Sequence, residues 1–431
     1  MSKPLRLGIA GLGTVGVGVV KILQAHGDLL AQRCGRRIEI TAISARDASK
    51  DRGVDLSPYV WVEDALDLAG RDDVDVVIEL IGGSEGVAKD LVEKALATGQ
   101  HVVTANKALL AHHGAALAQL AEDNNVALAY EAAVAGGIPI IKVMREGFAG
   151  NAIHAVYGIL NGTCNYMLTA MRETGRDFDV ILKEAQEAGY AEADPSFDID
   201  GIDAGHKLAL LSAIAFGVKP DFESLQIEGI RKINATDIRL AEEFGYRIKL
   251  LGIARRFNGS VMQVMEPCLV PLSNPIAQIE DVYNAVYVDC DSVETSMLSG
   301  KGAGEGPTAS AVLSDVMDLA RGNILPTFGV PAQSLLDPRW ADIGDTVSCY
   351  YLRLCVLDKP GVIAEISTIL RDHDISIEGL SQHGRDPDQP VSVVLTTHET
   401  RRRDMQKACS EFANLDSVLE EPCLMRIEAL S

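Results

Sequence analysis

The chain has 431 residues, enough for about three domains at roughly 150 residues each. Its formal net charge of −22 and pI near 4.8 exclude the basic face needed to bind nucleic acid or to dock on anionic lipid. With 47% hydrophobic and 23% charged residues, the composition is that of a core-forming chain, not of a disordered one.

Lys3 and Arg6 precede an apolar stretch over 7–20 that could pass for an export signal. Five glycines between Gly8 and Gly18 make it a poor signal helix, and a strand, a turn and a helix fit better. The longest other apolar stretch, 208–218, is shorter than the ~20 residues a bilayer span requires. A cytoplasmic protein without a membrane partner is expected. The eight cysteines form no C-x-x-C pair and the nine histidines show no ligand spacing. Reduced, mostly buried thiols and no transition-metal site are therefore expected.

Strands are read at 5–10, 38–44, 74–81, 101–104 and 126–130, with helices to about residue 30 and over 86–98 and 108–123. The run VDVVIELI (74–81) is apolar almost throughout, as in a parallel strand covered on both faces. This alternation implies a doubly wound α/β unit over about 1–140, with 302–322 returning to it. Over 141–301, strand-like segments at 153–160, 225–230, 247–257 and 261–270 mix with helices at 163–174, 179–188 and 203–216, which suggests an α+β unit. Residues 323–346 carry Pro326, Pro331 and Pro338 and read as a linker. Segments at 349–357, 361–373 and 391–397 give a small βαβ-type module within 347–431.

Gly11-Leu-Gly13-Thr14-Val15-Gly16 follows a strand and opens a helix. In that context the first glycine permits the turn, the second admits a pyrophosphate to the backbone, and the third lets helix and strand pack closely. The helix N-terminus then offers free N–H groups to the phosphates. Arg46, after the second strand, suits the 2′-phosphate of NADP, while Asp47 keeps the ribose of NAD open.

Two lysines stand out. Lys107 follows the strand HVVT at its carboxyl end, where open α/β sheets bind ligands, although its position alone equally fits a solvated helix start. Lys207 follows Asp203 by four residues on one helix face, and Glu192, Asp194, Asp198 and Asp200 lie just upstream. An i,i+4 salt bridge and a solvated acidic loop would explain these residues as well as a site does.

Together these segments resemble homoserine dehydrogenases: GLGTVG, TANK (104–107), EAAVAGGIPII (131–141), GILNGTCNYML (158–168), AQEAGYAEADPSFDIDGIDAGHK (185–207) and GAGEGPTASAV (302–312). LRLCVLDKPGVIAEIS (352–367) and HDISIEGLSQ (373–382) resemble an ACT domain, a βαββαβ module. The layout is similar to the monofunctional bacterial form, with no aspartokinase segment ahead of the dinucleotide unit. The resemblance implies reduction of L-aspartate 4-semialdehyde to L-homoserine by a nicotinamide cofactor. It implies Lys207 as proton donor with Lys107 beside it, Glu192, Asp198 and Asp203 as substrate ligands, and Gly189 and Gly304 as cofactor contacts. Glu131, Val134, Gly136 and Ile138 would hold a monovalent cation, Na+, largely through carbonyls. Cys164 stands where the motif often has threonine and is read as a packed thiol. The ACT module implies feedback control by L-threonine and assembly as a homodimer or homotetramer. A reductase of another amino-acid semialdehyde would share the glycine loop but not the whole 185–207 run. A non-catalytic sensor of dinucleotide and amino acid would need neither lysine.

Overall fold

The computed structural model describes residues 3–382 and 390–430; the parts of the expected units at 1–2, 383–389 and 431 lie outside it. The first unit runs β1 (Leu5–Ala10), α1 (Thr14–Cys34), β2 (Ile38–Ser44), β3 (Val60–Trp61), β4 (Val76–Glu79), α2 (Val87–Ala97), β5 (His101–Thr104), α3 (Lys107–Asp123) and β6 (Leu128–Ala129). Its strands pair in the order β3-β2-β1-β4-β5-β6, all parallel. The chain crosses from β3 to β4, so the order reverses between β1 and β4, the point at which such sheets open a ligand crevice. All four residues of β4 are buried, which accounts for its unbroken apolar run.

The next unit contains α4 (Ile140–Lys142), β7 (Ile153–Ile159), α5 (Gly162–Thr174), α6 (Phe178–Glu187), α7 (Ser196–Ile199), α8 (Ile202–Phe216), β8 (Gln226–Ile227), α9 (Ala235–Glu243), β9 (Tyr246–Phe257), β10 (Ser260–Pro271), β11 (Tyr283–Cys290), β12 (Thr295–Lys301) and α10 (Glu305–Arg321). The long β9–β10 hairpin turns on Asn258-Gly259, both with positive φ, as a type I′ turn requires. Helix α8 is buried along nearly all its length across β7, β9 and β10, matching its apolar composition. The segment expected as a strand over 225–230 pairs only at Gln226–Ile227; the Glu228 N–H still bonds to the Met265 carbonyl, and from Gly229 the chain turns away so that the Ile230 N–H meets the Ile199 carbonyl.

The third unit is β13 (Val347–Leu357), α11 (Val362–Asp372), β14 (Ile377–Gln382), β15 (Pro390–Thr397), β16 (Thr400–Arg401), α12 (Arg402–Phe412) and β17 (Cys423–Ile427), the βαββαβ order with one short extra strand. Its strands do not form a separate sheet. β17 pairs with β10, giving one continuous order β12-β11-β7-β9-β10-β17-β13-β15-β14. Residues 323–346 are not a free linker either. Phe328 is 1% exposed and stacks near Tyr130, the Ala332 N–H donates to Glu122 on α3, and Trp340 Nε1 donates to Asp221 at 2.7 Å. The prolines shape a packed strap that ties α3 to the edge of β10, where Val261 bonds backbone-to-backbone with Arg339 and Ala341.

Candidate active site

The glycine loop sits at the carboxyl end of β1. Gly11 has φ +99°, and a Cβ there would lie 2.6 Å from the Leu80 carbonyl oxygen. A Cβ on Gly16 would lie 2.0 Å from the Gly11 carbonyl oxygen, whereas nothing lies within 4 Å of one on Gly13. Two glycines thus close the turn and the third leaves an open cradle, as a pyrophosphate needs. Gly13 caps α1 with no side-chain bond and no acid stands in the first turn, so the N–H groups of Thr14, Val15 and Gly16 face no competing anion from the helix itself. Arg46 is exposed, and Asp47 is held below the usual carboxylate range by Ser49. Arg52 went unread in the sequence. It donates to the carbonyls of Leu12 and Asp47, fastening the loop after β2 to the glycine loop.

Next along the carboxyl edge, Glu79 ends β4 fully buried. Its carboxylate accepts from the N–H groups of Ile81 and Gly82 and from the Thr104 hydroxyl at 2.6 Å. Thr104 accepts from the Asn106 N–H, and Asn106 caps α3 through Leu109 while donating to the Gly83 carbonyl at 2.7 Å. This chain of bonds fixes Lys107 at the first turn of α3. An acid closing an apolar strand was the visible signal for Glu79.

The Lys107 ammonium reaches across to the second unit and meets Asp203 at 3.1 Å. Lys207, 8% exposed, meets the other oxygen of Asp203 at 2.6 Å and donates to the Leu160 carbonyl at 2.7 Å. The two ammonium groups therefore converge on one buried carboxylate. They hold it well below the usual carboxylate range against the penalty of burial. Asn161 caps α5 with its side-chain oxygen, while its amide nitrogen bridges Asp198 at 2.8 Å and Asp203 at 3.0 Å. Cap preference alone predicts Asn161 at a helix start; its bridging of two acids depends on how β7 and α8 pack. Asp198 also accepts from Thr163, forms no ion pair among the described residues, and is raised by burial and by Asp203. Cys164 is fully buried with its thiol on the Asp198 carbonyl. Glu192 does not join this cluster. It is exposed and its carboxylate bonds to no described residue, because Gln186 holds the turn through the Glu192 and Ala193 carbonyls and leaves the side chain in solvent.

Gly304 caps α10 at φ +115° and Gly189 follows α6 at φ +78°. The Glu131 carboxylate is buried and accepts the N–H groups of Ile141 and Lys142, so it caps α4. Burial and Asp315 push it up to about 7. Ala135 and Gly136 have positive φ, and the carbonyls of Val134 and Gly136 accept no hydrogen bond from described residues. Buried carbonyls left this way suit a cation held by backbone oxygens. Those of Glu131 and Ile138 each accept one N–H, from Val134 at 3.4 Å and Ile140 at 2.7 Å. Among the described residues no cluster of three or more His, Cys, Asp or Glu suits a metal ion, and no helix is long and apolar enough to cross a membrane.

Comparison with known proteins places this site in a family. The family model for homoserine dehydrogenase matches residues 139–317, and that for its NAD binding domain matches 11–131. A homoserine dehydrogenase of Neisseria gonorrhoeae is 43% identical over 440 residues, covering 99% of each chain. The chain belongs to the homoserine dehydrogenase family. It is thus an NAD(P)-dependent oxidoreductase acting on a CH–OH group. The ACT domain model matches 350–415. The homoserine dehydrogenase of Pseudomonas aeruginosa is 42% identical over all of both chains. The crystal structure of a homoserine dehydrogenase from Thiobacillus denitrificans superposes with a TM-score of 0.93 at 41% identity, covering 100% of this chain and 99% of that one. A homoserine dehydrogenase from S. aureus gives 0.78 at 32% identity over all of both chains.

Proposed function

We propose that the chain interconverts L-aspartate 4-semialdehyde and L-homoserine, with Lys207 as the proton donor. The convergence of Lys107 and Lys207 on Asp203, at the carboxyl edge of the dinucleotide-binding sheet, carries this reading. A bound nicotinamide supplies the hydride that reduces the aldehyde carbon. As the carbonyl oxygen gains negative charge it needs a donor. The Lys207 ammonium has three N–H groups, two of them committed to Asp203 and the Leu160 carbonyl. The third is free to meet that oxygen and to pass it a proton, a contribution of typically 10²–10⁴-fold. Lys107 adds a second positive charge to the same pocket. Asp203 is engaged by both lysines and by Asn161, so its part is to orient the donors. Of the three acids expected to hold substrate, Asp198 has no ion pair among the described residues, and it takes the substrate's α-ammonium.

The open cradle at Gly13 and the helix start at Thr14–Gly16 hold the pyrophosphate, with Gly189 and Gly304 at its margins. Arg46 favours NADP over NAD. The carbonyls of Glu131, Val134, Gly136 and Ile138 hold a monovalent cation, Na+, and L-threonine acts through the ACT module. Absorbance at 340 nm during homoserine oxidation, with each cofactor, with and without Na+ and L-threonine, tests these points together. Higher kcat/KM with NADP, stimulation by Na+ and inhibition by threonine are the expected outcomes. No turnover with either cofactor would defeat the substrate assignment.

A further inference from the structure

The Lys107 ammonium has one ion-pair partner among the described residues, Asp203 at 3.1 Å. Its side chain is 29% exposed, against 10% for that of Lys207, so water reaches it where the two units meet. A second neighbour stands at the same tip. The ring of Phe197 has its centroid 5.8 Å from Lys107 Nζ. That lies inside the ~6 Å within which the negative face of an aromatic ring attracts a cation.

Core packing does not account for Phe197. Its helix-mate Ile199 is fully buried, but Phe197 is 45% exposed and joins no hydrophobic core among the described residues. Its place is nevertheless fixed. Helix α7 is a single turn, and Arg231 ties both its ends, donating to Ser196 Oγ at 3.0 Å and pairing with Asp200. Behind the ring stands His206, 5.8 Å between centroids, which in turn stacks on Phe222 at 4.1 Å. His112 of α3 meets His206 and Phe222 edge-on at 5.5 and 5.4 Å. These separations are those of aromatic contacts. The row of rings therefore links α7 and α8 to α3, the helix that carries Lys107 in its first turn.

Neighbours on α7 serve different sides of the pocket. Asp198 turns to Asn161 and Thr163, while Phe197 turns to Lys107. A ring face offers what another carboxylate would not: it attracts the ammonium without neutralising it. It also displaces water, which would weaken the pull of that charge on a nearby oxygen.

We propose that Phe197 is a positioning residue for the reaction: its ring face holds the Lys107 ammonium beside Asp203 and covers one side of it against water, leaving the positive charge for the oxygen that becomes an alkoxide. The proposal deepens the reading of Lys107 given above and rests on it.

The test is a double-mutant cycle on kcat for homoserine oxidation by the full-length enzyme, followed at 340 nm. Phe197→Leu keeps an apolar side chain without a ring face and should lower kcat about 2- to 30-fold, with cofactor Kd and Tm at wild-type values. Phe197→Tyr keeps the face and should stay within about twofold of wild type. In a Lys107→Met background, Phe197→Leu should cost nothing further, whereas a merely structural role would cost the same factor in both backgrounds. Phenylalanines with one, two and three ring fluorines at position 197 weaken the face stepwise at nearly constant shape, and kcat should fall in that order. This series reads the contact even where leucine disturbs α7. Equal losses in the two backgrounds, or a flat fluorine series, overturn the proposal and leave Lys107 its role. Wild-type kcat in Lys107→Met removes Lys107 from the chemistry, and the proposal falls with it.

Discussion

At the scale of single residues, one carboxylate organises the chemistry. Asp203 accepts from Lys107, Lys207 and Asn161, so each lysine is oriented by the same acid that lowers the cost of burying it. Lys207→Ala is expected to reduce kcat by about 10²–10⁴-fold while cofactor Kd stays within a few-fold. Loss of cofactor binding with turnover intact would reverse the assignment. Arg46→Ala should weaken NADPH by about 10- to 150-fold, the range of a hydrogen bond to a charged group, and leave NADH unaffected; fluorescence titration of both cofactors checks it. His206, next to Lys207 on α8, is a further buried titratable group. It stacks on Phe222 at 4.1 Å, and burial, helped by His112 and Lys107, pulls it down to about 4. The unfolded chain has this group near 6.5, so between those values the unfolded state binds more protons. Its contribution is therefore fully present above about pH 6.5 and is lost as pH falls toward 4. His206→Phe keeps a ring on Phe222 and removes the titration, so the Tm of the variant should fall less than that of the wild type from pH 7 to 4.5. Parallel Tm profiles would show that His206 is not the group involved.

Among the elements, the packing of α10 on α1 depends on a glycine outside the dinucleotide fingerprint. A Cβ on Gly18 would lie 2.8 Å from Glu305 Cγ, 2.9 Å from its carbonyl oxygen and 3.0 Å from Ala309 Cβ. Gly18→Val should separate the helices and cost about 1–3 kcal/mol, read as a lower urea midpoint with the slope unchanged. An unchanged midpoint would mean the helices part freely. The parallel strands and long helices of the first unit were legible because burial on both faces leaves unbroken apolar runs. The hairpin of β11 and β12 was not, since β12 (TSMLSGK) lies at a sheet edge and is only partly buried. Helix α9 is short and polar, and its start is marked by a local capping box of Asn234 and Asp237, a signal present in the sequence but passed over beside the longer apolar runs. The site follows the same division. Spacing brought out Asp203 with Lys207, and strand position brought out Lys107. The meeting of both lysines on one acid, and the bonds of Asn161 and Leu160 to that cluster, come from tertiary packing that local pattern does not encode.

Over the whole molecule, a second buried acid joins the C-terminal module to the rest. Asp237, fully buried at the start of α9, accepts from Arg353 at 2.7 Å and from the Tyr351 hydroxyl at 2.9 Å. Arg353→Met would leave that charge without its cation and should cost about 3–5 kcal/mol, lowering Tm in a single transition rather than splitting it. A loss under about 1 kcal/mol would contradict this account. The order of elements expected for the module is the order found, β13, α11, β14, β15, α12 and β17. That expectation missed the pairing of β17 with β10, which nothing in either strand's pattern announces.

That shared ladder changes what cutting the chain can do. Proteolysis within the strap would break a covalent connection but leave the strand pairing and the Glu266 and Asp237 ion pairs in place. The two fragments should co-elute in gel filtration until denaturant separates them. A lobe swinging on a tether is not open to this architecture.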